Sequence, residues 1–515
     1  MGTIASGIAP PGVAPQLRLH RATTAVRTVV GGLNQRRLLV WVIFLVIFAF
    51  DFVRPTDIDL WWHLKTGELI AQTGTVPVVD PFSYTAVGRP WVAHEWLWEL
   101  GLFTVNQLGG YRLAVVASAL IVTLTFVLLY RLLRQLGVNE LVSTAIVLWA
   151  AVLAILSIGV RPREVTFLFL AFYLSQLWLY RLGTVGHLWS LPVVMAVWVN
   201  VHGLFILGLG LFALFGAGEV LSWLFARGKP PRHVALVGLA TFAVTALNPQ
   251  GPKMLLYPVG YFFGSDNPSF TTVTEFQSPS FHEPIYLLFA AGLLLLMVLG
   301  VSRDRFGVGN TLPVVVFALL ALVSERNVPN FALVAAPVLA TQLRARFGWA
   351  RELLPVRTTG LKVALNWVLL VSLLGMGIWY TRSAIGAQRL QLGVTPQTES
   401  LPVAGVQFIE QQHLPGPIFN NQPWGGYLID RWYPDPGRRV FIDGRVDLYG
   451  KTIVDDYREV VTIRPGWRKT LDRYGVQTVL IDKDSPLSTL LLADGGWVRV
   501  FQGDVEDVFV RRAQR

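Results

Sequence analysis

The chain contains no cysteine. That excludes disulfides, thiolate metal sites and a cysteine nucleophile. Charge is scarce as well. Charged residues make up 15% and hydrophobic residues 53%, whereas a soluble domain carries about a quarter charged residues. A mean hydropathy of +0.51 assigns most of the chain to lipid. The formal net charge is +11, but no polybasic tract or nucleic-acid-binding motif accompanies it, so no nucleic-acid partner is expected. G-x-S-x-G, P-loop, G-x-G-x-x-G and HEXXH signatures are absent too. Residues 1–36 are rich in Pro, Gly, Ala and Arg and lack an apolar core. They read as a disordered cytoplasmic tail and not as a signal peptide.

What is present is a series of apolar stretches. A spanning helix takes roughly 20 mainly apolar residues. Eleven stretches qualify or come close: 37–53, 111–130, 140–159, 165–181, 187–201, 204–225, 234–248, 285–301, 309–324, 328–343 and 363–380. Residues 93–109 read as a helix lying at the interface. Lys and Arg are denser in the short segments on the N-terminal side of the membrane, which places the N-terminus inside. Eleven spans then put two long loops, 54–110 and 249–284, and everything after Tyr380 outside. From 381 to 515 the pattern changes. IFNN (418–421), RRVFID (438–443), QTVLID (477–482), WVRVFQ (497–502) and DVFVRR (507–512) have strand character, and 403–410, 455–461 and 467–474 read as helices. The expected fold is a mainly α-helical polytopic membrane protein over 37–380 with a small C-terminal α/β extracytoplasmic domain.

The chemistry concentrates in 54–99, where Asp57, Asp59, His63, Asp80, His94, Glu95 and Glu99 lie among five tryptophans. Asp57 suits the N-cap of a helix that Gly74 closes. Asp59 and His63 are four apart and share a face. A carboxylate here, beside Trp61 and Trp62, can act as a general base whose pKa an apolar wall raises. Asp57-Ile58-Asp59 also has the spacing to hold a divalent cation, Mg or Mn, bridging phosphates. The bland alternative is a helix cap on an interfacial amphipathic helix with a tryptophan belt. Asp80 before Pro81 favours a turn. His63, Asp80, His94 and Glu95 match no established zinc spacing.

Elsewhere, Arg161, Arg163 and Arg326 sit at outer helix ends, against the charge rule. They suit the phosphate of a lipid carrier, or else headgroups and the neighbouring Glu164 and Glu325. Asn200 and His202 at a helix end line the same region or cap it. Trp424, Tyr427, Asp443 and Arg445 offer aromatic faces and charges suited to a sugar or peptide, or a tight turn packing the domain.

A first span followed by an acid, a helix, Gly74-Thr75-Val76-Pro77 and Asp80-Pro81-Phe82 resembles the first outer loop of the GT-C glycosyltransferases. These polytopic enzymes take sugar from a polyprenyl-phosphate carrier. The resemblance is nearest to a bacterial subset carrying DLWWHL-x-x-G, W-x-N-x-HG and WGGYL…FIDGR, here Asp59–Gly67, Trp198–Gly203, Trp424–Leu428 and Phe441–Arg445. Trp424, Gly426 and Tyr427 also resemble part of the WWDYG element of oligosaccharyltransferases, without its Asp. The Trp-Trp-His after Asp59 is a departure that leaves open whether Asp57 or Asp59 matches the family's catalytic acid. The resemblance implies transfer of a hexose or pentose from a polyprenyl-phosphate-linked sugar to an acceptor at the outer face of a bacterial cytoplasmic membrane. It implies Asp57 or Asp59 as catalytic acid and Arg161, Arg163 and Arg326 at the phosphate. A transporter, or a scaffold in envelope polysaccharide assembly, is the alternative.

Overall fold

The computed structural model describes residues 34–51, 57–226, 230–263, 273–300, 307–351, 359–387 and 401–512. The expected N-terminal tail lies almost wholly outside these residues. Within the described residues, each of the eleven apolar stretches is helical over most of its length. They form α1 (Gln35–Phe50), the distal part of α3 (Trp96–Gln135), α4 (Glu140–Ala154), α5 (Arg163–Arg181), α6 (Ser190–Val201), α7 (Phe205–Ala226), α8 (Arg232–Ala243), α10 (Pro284–Leu299), α11 (Gly307–Val323), α12 (Val328–Arg346) and α13 (Gly360–Ala387). Between them lie α2 (Leu60–Thr73) and the short α9 (Leu256–Phe263).

Length and composition alone qualify fewer helices than the sequence pattern does. Among the described residues, α3 and α7 are long and apolar enough to cross a membrane, and a bent pair, Arg232–Ala246 with Gly251–Pro258, makes a third. Several others are apolar but only 10–17 residues long. The expected interface helix at 93–109 is continuous with the following span except at Gly109 and Gly110, whose dihedrals leave the helical region. The α12 helix is buried along most of its length, with Phe331, Ala335, Ala336 and Ala340 at 0% exposure. Small side chains there let neighbouring helices close in, as bilayer interfaces require.

The C-terminal part comprises α14 (Val403–Gln411), β1 (Ile418–Asn420), α15 (Gly425–Trp432), α16 (Val446–Val461), α17 (Trp467–Arg473), β2 (Thr478–Asp482), α18 (Pro486–Ala493), β3 (Trp497–Gln502) and β4 (Glu506–Arg511). The strands order as β1-β2-β4-β3, with β1 parallel to β2 and the other pairs antiparallel. RRVFID is a correction: it does not join the sheet. Its backbone is satisfied elsewhere. Phe441 N–H donates to Asn420 Oδ1 at 2.8 Å, Asn420 Nδ2 donates to the Ile442 carbonyl at 2.9 Å, and Thr85 Oγ1 donates to the Phe441 carbonyl at 2.5 Å. An apolar run of strand length therefore becomes a buried connector between loop and sheet.

That connector reveals how the parts join. Trp61, Trp62, Phe82 and Trp91, in the segment between α1 and α3, belong to the same hydrophobic core as Phe419, Leu428, Phe441, Val479 and Phe509. The membrane helices have a separate core. By packing, the segment between α1 and α3 is thus a layer of the C-terminal domain.

Candidate functional site

Two glycines set the contact between loop and domain. A Cβ at Gly426 would meet the Ile58 carbonyl oxygen at 2.5 Å, and one at Gly444 would meet Asp59 Oδ1 at 1.7 Å. The WGGYL and FIDGR stretches thus press their backbones onto the residues leading into α2. Trp424, Tyr427 and Asp443 are buried. Tyr427 meets Trp61 edge-on at 5.7 Å, so Trp61 packs as well. The close backbone approach, expected to favour a ligand, is made to protein.

At the centre of the junction Arg445 is 3% exposed. Its Nη1 donates to Asp80 Oδ1 at 2.9 Å, and its Nε and Nη2 donate to Asp443 at 2.9 and 2.7 Å. Phe82 and Trp91 lie 5.1 and 4.7 Å from the guanidinium carbon, a cation–π geometry. Tyr449 OH donates to Asp443 Oδ2 at 2.5 Å. Asp80 also caps its own turn, accepting from Phe82 N–H at 3.1 Å and Ser83 N–H at 3.0 Å.

Beside this junction opens a cavity of about 340 Å³. It gathers Asp57, Asp59, Trp62, His63, Glu95, Arg161, Arg163, His202, Arg326 and Arg445 from the sequence-expected set. Asn200 stays outside it. Its side-chain oxygen accepts from Trp96 Nε1 at 2.8 Å, and its Nδ2 donates to the Ala196 carbonyl at 2.8 Å. The cavity also includes His94, Glu99, Tyr257, Glu275, Gly444 and Asp447. Glu275 falls in the polar stretch 275–284 and Asp447 lies just past FIDGR, but neither proximity is visible without the fold.

One end of the cavity is cationic. Arg161 Nε lies 2.5 Å from Asp57 Oδ2 and its Nη1 lies 2.9 Å from Glu275 Oε1. Arg163 bonds the other Glu275 oxygen. Burial alone would raise the Glu275 carboxyl, but Arg163, Arg326 and Arg161 pull it down to about 2. Arg163 Nε and Arg326 Nε are buried with no hydrogen-bond partner among the described residues. Arg326 acts on Glu275 by charge without a close ion pair among the described residues, and stands 5.0 Å over the Phe276 ring. Buried guanidinium nitrogens without partners are costly unless an anion meets them.

The two aspartates differ. Asp57 accepts the Asp59 amide at 3.0 Å on one oxygen and holds Arg161 on the other. Asp59 accepts only from Trp62 Nε1, at 2.9 Å, among the side-chain bonds of the described residues. Burial first, and the Asp57 charge second, push its carboxyl up to about 6. The donor set does not suit a divalent cation at these residues, since a guanidinium already occupies Asp57. Among the described residues no three His, Asp or Glu side chains converge as a metal site.

An apolar groove of about 880 Å³ between α7 and α8 runs to Pro252, Leu255 and Leu256. Tyr257 and Pro258, next in the chain, form the cavity wall.

No protein-family model and no curated protein matches the chain. Solved structures do. The chain is similar to the archaeal oligosaccharyltransferase AglB from Archaeoglobus fulgidus in complex with an inhibitory peptide and a dolichol-phosphate. The identity is 13% and the TM-score 0.54, covering 92% of this chain and 74% of that one. The apo form of the Archaeoglobus fulgidus oligosaccharyltransferase gives 13% identity and a TM-score of 0.51, over 86% and 69% of the two chains. The arabinofuranosyltransferase AftD from Mycobacteria gives 15% and 0.50, over 94% of this chain but 40% of that longer one. Helical bundle, long loops and C-terminal α/β domain together give the chain the same fold as these solved structures.

Proposed function

We propose that this chain is an integral membrane glycosyltransferase of the GT-C type. It moves a hexose or pentose from a polyprenyl-phosphate donor to an acceptor hydroxyl or amine at the outer face of the cytoplasmic membrane. One observation carries the reading: a single cavity gathers a carboxyl whose pKa is raised to about 6 with two arginines, Arg163 and Arg326, each of which keeps a buried Nε without a hydrogen-bond partner among the described residues. The fold supports it, since a neighbour of the same fold was solved with a dolichol-phosphate. The groove between α7 and α8 supports it too, being apolar and adjoining the cavity as a prenyl chain attached to a bound phosphate requires.

In this reading Arg163 and Arg326 hold the donor phosphate, and Arg161, fixed by Asp57 and Glu275, adds its charge. The bond between the sugar's anomeric carbon and the phosphate oxygen breaks, and its electron pair stays with the phosphate. Fixed guanidinium groups stabilise the charge developing there. The acceptor oxygen or nitrogen forms the new bond to the anomeric carbon and gives its proton to Asp59. Trp62 and Trp91 wall the site from water. Asp57 is a positioning residue. The reaction is proposed to need no divalent cation, so dialysis against a chelator is expected to leave transfer unchanged. The transporter or scaffold alternative has no comparable support, as the site's charges collect where the loops meet the helix ends.

The test is sugar transfer by membranes carrying Asp59→Asn or Asp57→Asn, given lipid-linked donors. Asp59→Asn is expected to cost about 10²- to 10⁴-fold, the range for a general base, at normal expression. Wild-type turnover in that variant would remove the assignment.

A further inference from the structure

The stretch Trp198–Gly203 (W-x-N-x-H-G) closes on His94-Glu95-Trp96 residue by residue. Gly203 leaves room for His94, whose Cδ2 would lie 3.1 Å from a Cβ built there. His202 Nε2 lies 3.5 Å from Glu95 Oε1. Asn200 takes the Trp96 indole N–H. Trp198 acts one step further back. Its Nε1 donates to Thr166 Oγ1 at 2.9 Å, and Thr166 Oγ1 lies 2.8 Å from His202 Nδ1. The Glu95 carboxylate only accepts, so the His202 Nε2 facing it carries the hydrogen, and Nδ1 accepts from the Thr166 hydroxyl while that oxygen accepts from the indole. The bonding network therefore assigns His202 the tautomer with hydrogen on Nε2, aimed at Glu95.

The other two imidazoles obey a similar logic. His94 Nδ1 lies 3.1 Å from the Val92 carbonyl oxygen, which only accepts. Nδ1 therefore carries a hydrogen, and Nε2 faces Glu95 Oε1 at 3.4 Å. A bare Nε2 would turn a lone pair onto a carboxylate, so the pair holds a proton between them. His63 Nε2 lies 3.7 Å from Glu95 Oε2, while its Nδ1 meets Glu99 Oε1 at 3.1 Å. Glu95 is thus a carboxylate among three imidazoles. All four residues share the cavity wall with Asp59, and the sugar-transfer step uses none of them.

The surrounding charges agree. Burial alone would lower the His94 pKa, but Glu95 beside it and Asp447 from the C-terminal domain raise it to about 9. Burial would raise the Glu95 carboxyl, yet His94, His202 and His63 draw it well below the usual range. Tyr257, whose ring lies 4.7 Å from that of His94, donates its hydroxyl to Asp447 at 2.9 Å.

We propose that this cluster is the proton exit of the cavity. The proton that Asp59 takes from the acceptor reaches His63, one helical turn on, through water in the cavity they share, then passes to Glu95 and His94, and leaves past Asp447 and Tyr257. One proton enters as one leaves, no electrons move, and the cluster returns to its starting state. Trp198, Asn200 and Gly203 are positioning residues that hold Glu95 and His94 in line. The proposal rests on Asp59 acting as the base.

Two measurements on the full-length protein in nanodiscs test it. The first is ring-¹⁵N NMR of histidine-labelled protein, which needs no substrate. At pH 7 His94 is expected doubly protonated and His202 neutral with hydrogen on Nε2. Glu95→Gln should lower the His94 pKa and let the His202 tautomer redistribute. A neutral His94 at pH 7, or one indifferent to Glu95→Gln, overturns the cluster. The second measurement is turnover with undecaprenyl-phosphate-linked glucose, mannose and arabinose, using membrane extract as acceptor. His94→Gln should spare the first transfer per enzyme, slow steady turnover by about tenfold or more, and recover with added imidazole. Equal loss in both phases without imidazole rescue, or no loss, overturns the exit alone. If the wild type transfers none of these sugars, the glycosyltransferase reading falls and the exit with it, while the histidine assignment stands.

Discussion

Two arginine–carboxylate clusters lie on either side of one cavity wall, and they differ in completeness. Around Arg445 the guanidinium is bonded on all three nitrogens, and aromatic rings cover its faces. Around Glu275, Arg163 and Arg326 keep buried nitrogens without partners among the described residues. Both clusters would look alike in a count of ion pairs. A closed network holds two parts of a chain together, whereas an open one is prepared for something that arrives.

The largest expected effect separates them on stability. Arg445→Ala leaves Asp80 and Asp443 buried without their cation, a change that costs about 3–5 kcal/mol. Thermal unfolding in detergent should fall sharply. Arg326→Ala should leave the melting temperature unchanged and instead weaken inorganic phosphate or lipid-phosphate binding by about 10- to 100-fold, the worth of one charged hydrogen bond. If Arg326→Ala melts like Arg445→Ala, the distinction between the clusters is lost.

Next is Gly444→Ala. Its methyl would overlap Asp59 Oδ1, so either the carboxyl or the domain contact must shift. Transfer should drop with little loss of expression, and limited proteolysis should cut faster between loop and domain. The smallest effects concern pH. Transfer should rise with pH through about 6 as Asp59 loses its proton. Asp57→Asn removes a negative neighbour and frees Arg161, and both changes favour the charged form of Asp59. The rising limb of the profile should therefore move to lower pH. A limb that stays fixed, or moves up, would show that another group is titrating.

Much of this was legible in the sequence. The apolar stretches gave the helices, and the gathering of acids and tryptophans at 54–99 marked the cavity wall. Asp57 and Asp59 were both visible, but which one is free to titrate was not, because that depends on Arg161 reaching back from the start of α5. WGGYL read as a turn or a ligand platform. It forms a helix whose glycines answer to Ile58 and Asp443, and no local pattern records a contact across the whole chain. RRVFID had every mark of a strand and lost its place in the sheet to a side chain, Asn420. The W-x-N-x-H-G stretch was visible as a motif, but its meaning lies in partners about a hundred residues upstream.

Gly444 lying against Asp59 has a consequence for how such a protein matures. The segment that completes the cavity is synthesised after every described membrane helix. While the earlier helices are entering the bilayer, the cavity around the acid at 59 lacks the part of its wall that Gly444, Arg445, Val446 and Asp447 supply. The protein is therefore expected to remain inert through insertion and to become competent only when its last domain docks, which makes assembly itself the moment of activation.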